Sequence, residues 1–137
     1  MGKAIIKHID EASWILGKPR RDDGTLENAS HFIGDMEKGP WIHVNSVEPN
    51  SAPSEPHSHN MDEVIYVVEG SLIIGDRTCG PGTVIAIEKD TEYDFTSGPE
   101  GLRFLNIRPG LAKFIMGGEE INPYLDPLQY YGPRERT

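Results

Sequence analysis

Between residues 41 and 108 the chain is cut into short apolar runs by Gly, Pro, Asn and Asp at intervals of roughly ten residues, and this spacing leaves few folds open. The runs are rich in Val, Ile, Thr, Tyr and Phe, which suit a pleated surface better than a helix. With 15 glycines and 11 prolines the chain has turn positions to spare. Residues 41–48 alternate, with Trp41, His43, Asn45 and Val47 on one face and Ile42, Val44, Ser46 and Glu48 on the other. Residues 64–68 form a β-rich run that ends at a turn, Glu69-Gly70. Residues 71–74 and 77–79 read as a hairpin through Gly75-Asp76. Gly80-Pro81-Gly82 reverses the chain into 83–87, an apolar strand expected to be buried on both faces. Residues 92–95 lead out, 97–101 turn again, and 102–108 close the series. Ahead of this region, residues 3–9 predict an N-terminal strand, 10–14 a helical turn capped by Asp10, 17–30 a loop and 31–34 a short strand. About eight short strands without an internal repeat predict an all-β fold, a single antiparallel β-barrel or jelly roll.

A chain of 137 residues is one domain by length: a barrel core at about 41–108, an N-terminal strand and loop at 1–40 and a tail at 109–137. The net charge of −9 argues against a nucleic-acid partner, which needs a basic face to displace counterions. No apolar stretch approaches the ~18 residues of a spanning helix, and residues 1–10 lack the apolar core of a signal peptide, so no membrane partner is expected. Cys79 is the only cysteine, which suits a reducing cytoplasm, and it reads as a small apolar strand residue. Val64, Tyr66 and Val68 form an apolar row that needs a cover. A second copy of the chain, giving a homodimer, would supply one; so would the N-terminal strand or the tail.

The Pro-rich stretch 49–56 delivers the chain to His57-Ser58-His59-Asn60-Met61-Asp62-Glu63. Two imidazoles and a carboxylate stand at odd positions 57, 59 and 63. An extended segment with a short reversal at 60–62 points all three to one face and sets Asp62 away from it. A bare His-x-His is common by chance, but Glu63 in register, leading into a strand, makes this a metal-ligand constellation. Two His and one carboxylate leave coordination positions open, as a catalytic ion requires. With no thiolate in the set, iron, manganese, nickel and zinc are all admissible, and iron is placed first because three protein ligands leave adjacent sites for a bidentate substrate and dioxygen. Ile65, Val67 and Phe95 share the parity of the three ligands and, with His43, are expected to line a partly hydrophobic small-molecule pocket.

His57-x-His59, three residues, Glu63, six residues and Gly70 resembles the first motif of the cupins, small β-barrels whose metal sits on two His and a Glu. Gly82 matches the opening of the family's second motif. Glu88-Lys89-Asp90 stands where the family has a Pro-x-Gly turn, Tyr93 where it has a third His, and Ser51 where the first motif has its leading Gly. The resemblance implies a metal-dependent enzyme of the dioxygenase kind, with a lyase, an isomerase or a non-catalytic small-molecule-binding barrel as alternatives. Tyr93 then has three roles open to it: a phenolate ligand, a hydrogen-bond donor to metal-bound water or substrate, or packing. The second is favoured because it needs no ionisation.

Overall fold

The computed structural model describes residues 2, 4–9, 16–19, 26–34, 39–51, 56–110 and 114–121. Its elements are β1 (Leu16–Pro19), β2 (Leu26–Gly34), β3 (Trp41–Val47), β4 (Ser58–His59), β5 (Glu63–Ile74), β6 (Arg77–Cys79), β7 (Val84–Ile87), β8 (Thr96–Arg108), β9 (Phe114–Met116) and β10 (Glu119–Ile121). Among the described residues there is no helix, and every strand pair is antiparallel. None is therefore long and apolar enough to cross a membrane. A seven-stranded sheet runs β1-β2-β3-β8-β5-β6, with β7 also on β5, and a three-stranded sheet runs β10-β9-β4. The described ladders do not close into a ring, but the all-β, antiparallel jelly-roll character expected from the strand spacing is there.

β5 and β8 are the longest strands, at 12 and 13 residues, and they pair with each other. Both were expected to break at a glycine turn, β5 at Glu69-Gly70 and β8 within 97–101. Both instead run straight through. Gly70 (φ 72) and Gly101 (φ 83) sit where the β5–β8 register shifts, so the two glycines make facing bulges. A Cβ on Gly70 would collide with the Gly101 carbonyl oxygen, so Gly is required there for space as well as for φ. Gly70→Ala is expected to cost about 1–3 kcal/mol, seen as a lower urea midpoint with an unchanged slope.

Alternation decides what faces inward. On β5, Glu63, Ile65 and Val67 are buried, while Val64 and Val68 are half-buried and Tyr66 is exposed. Ile65, Val67, Leu72, Cys79, Leu102 and Phe104 form the core, with Val47, Ile74, Ile85, Ile87 and Phe95 packed against it. Cys79 thus serves as a small apolar core residue.

Three expectations are corrected. Residues 4–9 form no strand, and Ile6 is 90% exposed. The stretch 17–30, polar enough to suggest a loop, contains most of β1 and the first half of β2, because β2 finds a continuous partner in β3 from Asn28↔Val47 to Gly34↔Trp41. Pairing with an existing strand overrides weak local propensity. β7 is not buried on both faces: Val84 is 59% exposed, since β7 lies at the side of β5 with its outer face toward solvent. The expected helical turn at 10–14 lies outside the described residues.

In the tail, β9 and β10 form a hairpin through Gly117-Gly118 (φ 59 and 81), a two-residue turn that needs positive φ at both positions. β9 pairs with β4, setting Phe114 opposite His59 and Ile115 opposite Ser58. This part of the tail therefore pairs with the strand that carries His59.

Candidate functional site

His57 lies just ahead of β4 in an isolated bridge with Tyr93, His59 is on β4 and Glu63 is the first residue of β5, and residues 88–93 run alongside them. His57 and Tyr93 exchange both backbone hydrogen bonds (3.0 and 2.9 Å), which places their side chains on one face. Asp90 N donates to His59 O at 2.8 Å, and Lys89 N donates to Asp62 Oδ1 at 2.9 Å. Asp62 thus points away from the imidazoles and ties down the 88–90 turn. Asp90 takes φ 64 there, a conformation that Asp tolerates, so Glu88-Lys89-Asp90 makes a tight turn without glycine or proline. Ser51 also has a structural use: its N donates to Ser97 Oγ at 3.0 Å and its Oγ lies 3.2 Å from Thr96 Oγ1, fastening the 48–51 connection to the start of β8.

His57, His59 and Glu63 are each at least 95% buried. The imidazole rings of His57 and His59 meet edge to face with centroids 5.2 Å apart, and the Tyr93 ring lies 4.5 Å from His57. The Tyr93 hydroxyl donates to Glu63 Oε1. This contact, with a carboxylate of the expected ligand set, is none of the three roles expected for Tyr93. The other carboxylate oxygen, Oε2, accepts from Arg108 Nε at 3.3 Å and Nη2 at 3.1 Å. The same Nη2 lies 3.2 Å from His59 Nε2, and His59 Nε2 lies 3.6 Å from Glu63 Oε2. The guanidinium is held over the Trp41 ring at 5.2 Å, and Trp41 Nε1 donates to Gly110 O at 2.7 Å. A buried cation and a buried anion satisfy each other here, with a neutral phenol and an imidazole completing the network.

Among the described residues no group of three or more His, Cys, Asp or Glu side chains is arranged to hold a metal ion as it stands. The donor set nevertheless fits one in chemistry: two imidazoles and a carboxylate, buried on one face, with no thiolate. The guanidinium nitrogen acts as a stand-in cation, since it bridges the two donor atoms that an ion shared by His59 and Glu63 would bridge. His57, His59 and Glu63 would be the residues to hold such an ion, and Arg108 engages the same carboxylate.

Of the expected pocket residues, Ile65 and His43 flank Asn106 in register across three strands, in the row next to that of Trp41 and Arg108. Val67 is in the core, and Phe95 packs edge to face on Phe104 at 5.4 Å. Arg108, Trp41 and Asn106 had no predicted role. Their signal was an inversion on β8: Leu105 and Ile107 point outward, while polar Asn106 and Arg108 share the inward parity of Phe104 and are 4% and 2% exposed. Polar side chains on the buried face of a strand mark a site more strongly than an exposed His does.

No family model matches the chain, and no curated protein matches it. Solved structures do. An RmlC-like cupin protein from Ralstonia eutropha JMP134 is similar over 93% of this chain and 88% of its own, with TM-score 0.63 and 17% identity. The polyketide cyclase RemF from Streptomyces resistomycificus is similar over 89% of this chain and 83% of its own, with TM-score 0.58 and 26% identity. Fe(II)-HppE, solved with the alternative substrate (S)-1-HPP, is similar over 77% of this chain and 60% of its own, with TM-score 0.57 and 18% identity. The fold, the inward His57, His59 and Glu63, and these likenesses agree: the chain is a cupin by fold.

Proposed function

We propose that the chain is a metal-dependent enzyme acting on a small molecule held in its interior, with His57, His59 and Glu63 as the ion's protein ligands and oxygen-dependent chemistry of the dioxygenase kind as its reaction. One observation carries this reading. A cationic nitrogen already stands between His59 Nε2 and Glu63 Oε2, in a region buried from solvent. When bound there, a transition-metal ion supplies open coordination positions and Lewis acidity. Ferrous iron is placed first, and this fold carries Fe(II) in HppE; manganese, nickel and zinc suit the same donors. Tyr93 holds Glu63 Oε1 and so fixes which carboxylate oxygen is presented. The backbone pair between His57 and Tyr93 orients the first imidazole. Ile65 and His43, which flank Asn106, form the partly apolar wall of the proposed substrate site.

The test is oxygen uptake by iron-loaded protein across catechols, diketones and hydroxy acids, with His57→Ala and His59→Ala as controls. Stoichiometric iron and uptake that both controls lose is the expected result. Anaerobic turnover that depends on the ion would move the reaction to a lyase or isomerase. Ligand binding without turnover would favour a non-catalytic barrel. A second reading has its own observation: Glu63 and Arg108 balance each other's charge and Tyr93 donates to Glu63, a set able to move protons without an ion. Turnover that survives exhaustive chelation would establish it.

Tyr93→Phe is expected to weaken metal binding about 10–100-fold while leaving one equivalent bound at saturation, because the carboxylate loses its orienting donor. Competition with a chromophoric chelator measures this, and unchanged affinity would remove the orienting role.

We further propose a homodimer formed through the outer face of β5, β7 and β8, where Tyr66 (40%), Val84 (59%) and Ile107 (37%) are exposed side by side. Sedimentation at micromolar concentration should give a dimer that Tyr66→Glu dissociates; a wild-type monomer would contradict it. The cytoplasm is proposed as its compartment, on the single buried thiol of Cys79.

A further inference from the structure

We infer that Asn106 is a specificity-determining residue: its buried carboxamide oxygen accepts a hydrogen bond from a hydroxyl of the small molecule, so the ligand carries such a donor. The inference rests on the interior small-molecule site proposed above, and on neither the ion nor the reaction.

Asn106 stands in the middle of the larger sheet. Its strand, β8, pairs with β3 on one side and β5 on the other, and His43 and Ile65 are its partners in register. It shares the inward parity of Phe104 and is 4% exposed. A position of this kind ordinarily holds a β-branched apolar residue, which packs well on a pleated, buried surface. Asn106 instead buries a carboxamide whose Oδ1 has no hydrogen-bond partner among the described residues. Burying an amide oxygen unmatched costs stability that no contact of that oxygen offsets in the folded chain. A donor that arrives with a ligand supplies the missing bond.

The place of Asn106 in the fold agrees with such a contact. Along β8 it is two residues, roughly 7 Å, from Arg108, whose guanidinium reaches Glu63. Its neighbour Ile65 is two residues from Glu63 on β5, and both are buried on the same face. On β3, His43 and Asn45 are buried as well, so the inward faces of β3 and β8 carry a polar patch beside the apolar Ile65 and Phe104. A small molecule lying on this patch meets an acceptor at Asn106 and an apolar side at Ile65. An oxygen that accepts and cannot donate selects a ligand with a hydroxyl over one with a methyl in its place.

The test uses two uncharged probes, acetoin and methyl isopropyl ketone, which differ only in a hydroxyl against a methyl. Each is titrated by amide NMR into protein without added metal, so an ion contributes to neither. Wild type should bind acetoin on the order of tenfold more tightly than the ketone. Asn106→Leu and Asn106→Ala should both lose that preference. The same two variants also report on the ligand-free protein. With the unmatched oxygen gone, at least one of them should melt no lower than wild type. Melting temperatures lowered in both would make the carboxamide structural, through a bound water for instance, and would overturn the inference. Equal binding of the two probes, tighter binding of the ketone, or a preference for acetoin that either variant keeps would overturn it too. Each of these results leaves the interior site standing. Binding of neither probe would overturn the inference and count against the interior site with it.

Discussion

Glu63→Ala is expected to be the most damaging single substitution in the chain. The carboxylate is 2% exposed, accepts from Tyr93 on one oxygen and from two Arg108 nitrogens on the other, and is a proposed metal ligand. Removing it takes from the buried guanidinium the carboxylate that it pairs with. Losses of this kind run to about 3–5 kcal/mol, against a total stability of about 5–15 kcal/mol for a domain. The melting temperature should fall by about 10–20 °C, and the variant should no longer take up an equivalent of metal. Thermal melts with and without added metal separate the two effects. Wild-type protein should be stabilised by the ion and the variant should not. A variant that melts within a few degrees of wild type would mean that Arg108 does not depend on Glu63.

Arg108→Met is expected to move metal affinity the other way. In the metal-free protein Glu63 Oε2 is engaged by Arg108 at 3.1 Å, so an ion has to displace a charge-assisted contact and then sit beside a fixed positive charge. Contacts of this type contribute about 1.5–3 kcal/mol, so removing the competitor should tighten metal binding at least about tenfold. Met keeps much of the length of the apolar stem that carries the guanidinium over the Trp41 ring, which limits the cavity left behind. The metal-free variant should nonetheless be less stable than wild type, with Glu63 unpaired, and added metal should rescue it by more than it rescues wild type. Titration calorimetry on both proteins reads this. Equal or weaker metal binding in Arg108→Met would show that the guanidinium assists the ion or that the ion sits elsewhere.

The inward face of β5 was legible from sequence because strand parity is a local property: Glu63, Ile65 and Val67 all turned out buried, and Tyr66 faces outward. Tyr93 was legible from motif spacing, and His57 pairs with it directly across a bridge. What the sequence did not reveal depended on partners distant along the chain. Gly70 and Gly101 carry the same local signal, positive φ, whether the chain turns or bulges. Only the presence of each strand opposite the other decides for a bulge. β2 is polar, with Glu27, Asn28, Ser30 and His31 in its sequence, and it becomes a strand because β3 is there to pair with it. Arg108 could be placed on the last strand, but its meeting with Glu63 and His59 requires β8 to lie beside β5 with β4 next to its start. A polar residue on an inward parity can be read in advance; the partner it neutralises cannot.

The central claim is that His57, His59 and Glu63 hold one ion at the point where Arg108 now bridges two of them. Anomalous diffraction from crystals of the iron- or manganese-loaded protein tests it most directly. The account predicts a single peak within about 2.0–2.3 Å of one nitrogen of each imidazole and of a Glu63 carboxylate oxygen, with the Arg108 guanidinium drawn off Glu63. Loaded crystals with no peak at these residues, and with Arg108 still on Glu63 Oε2, would contradict it.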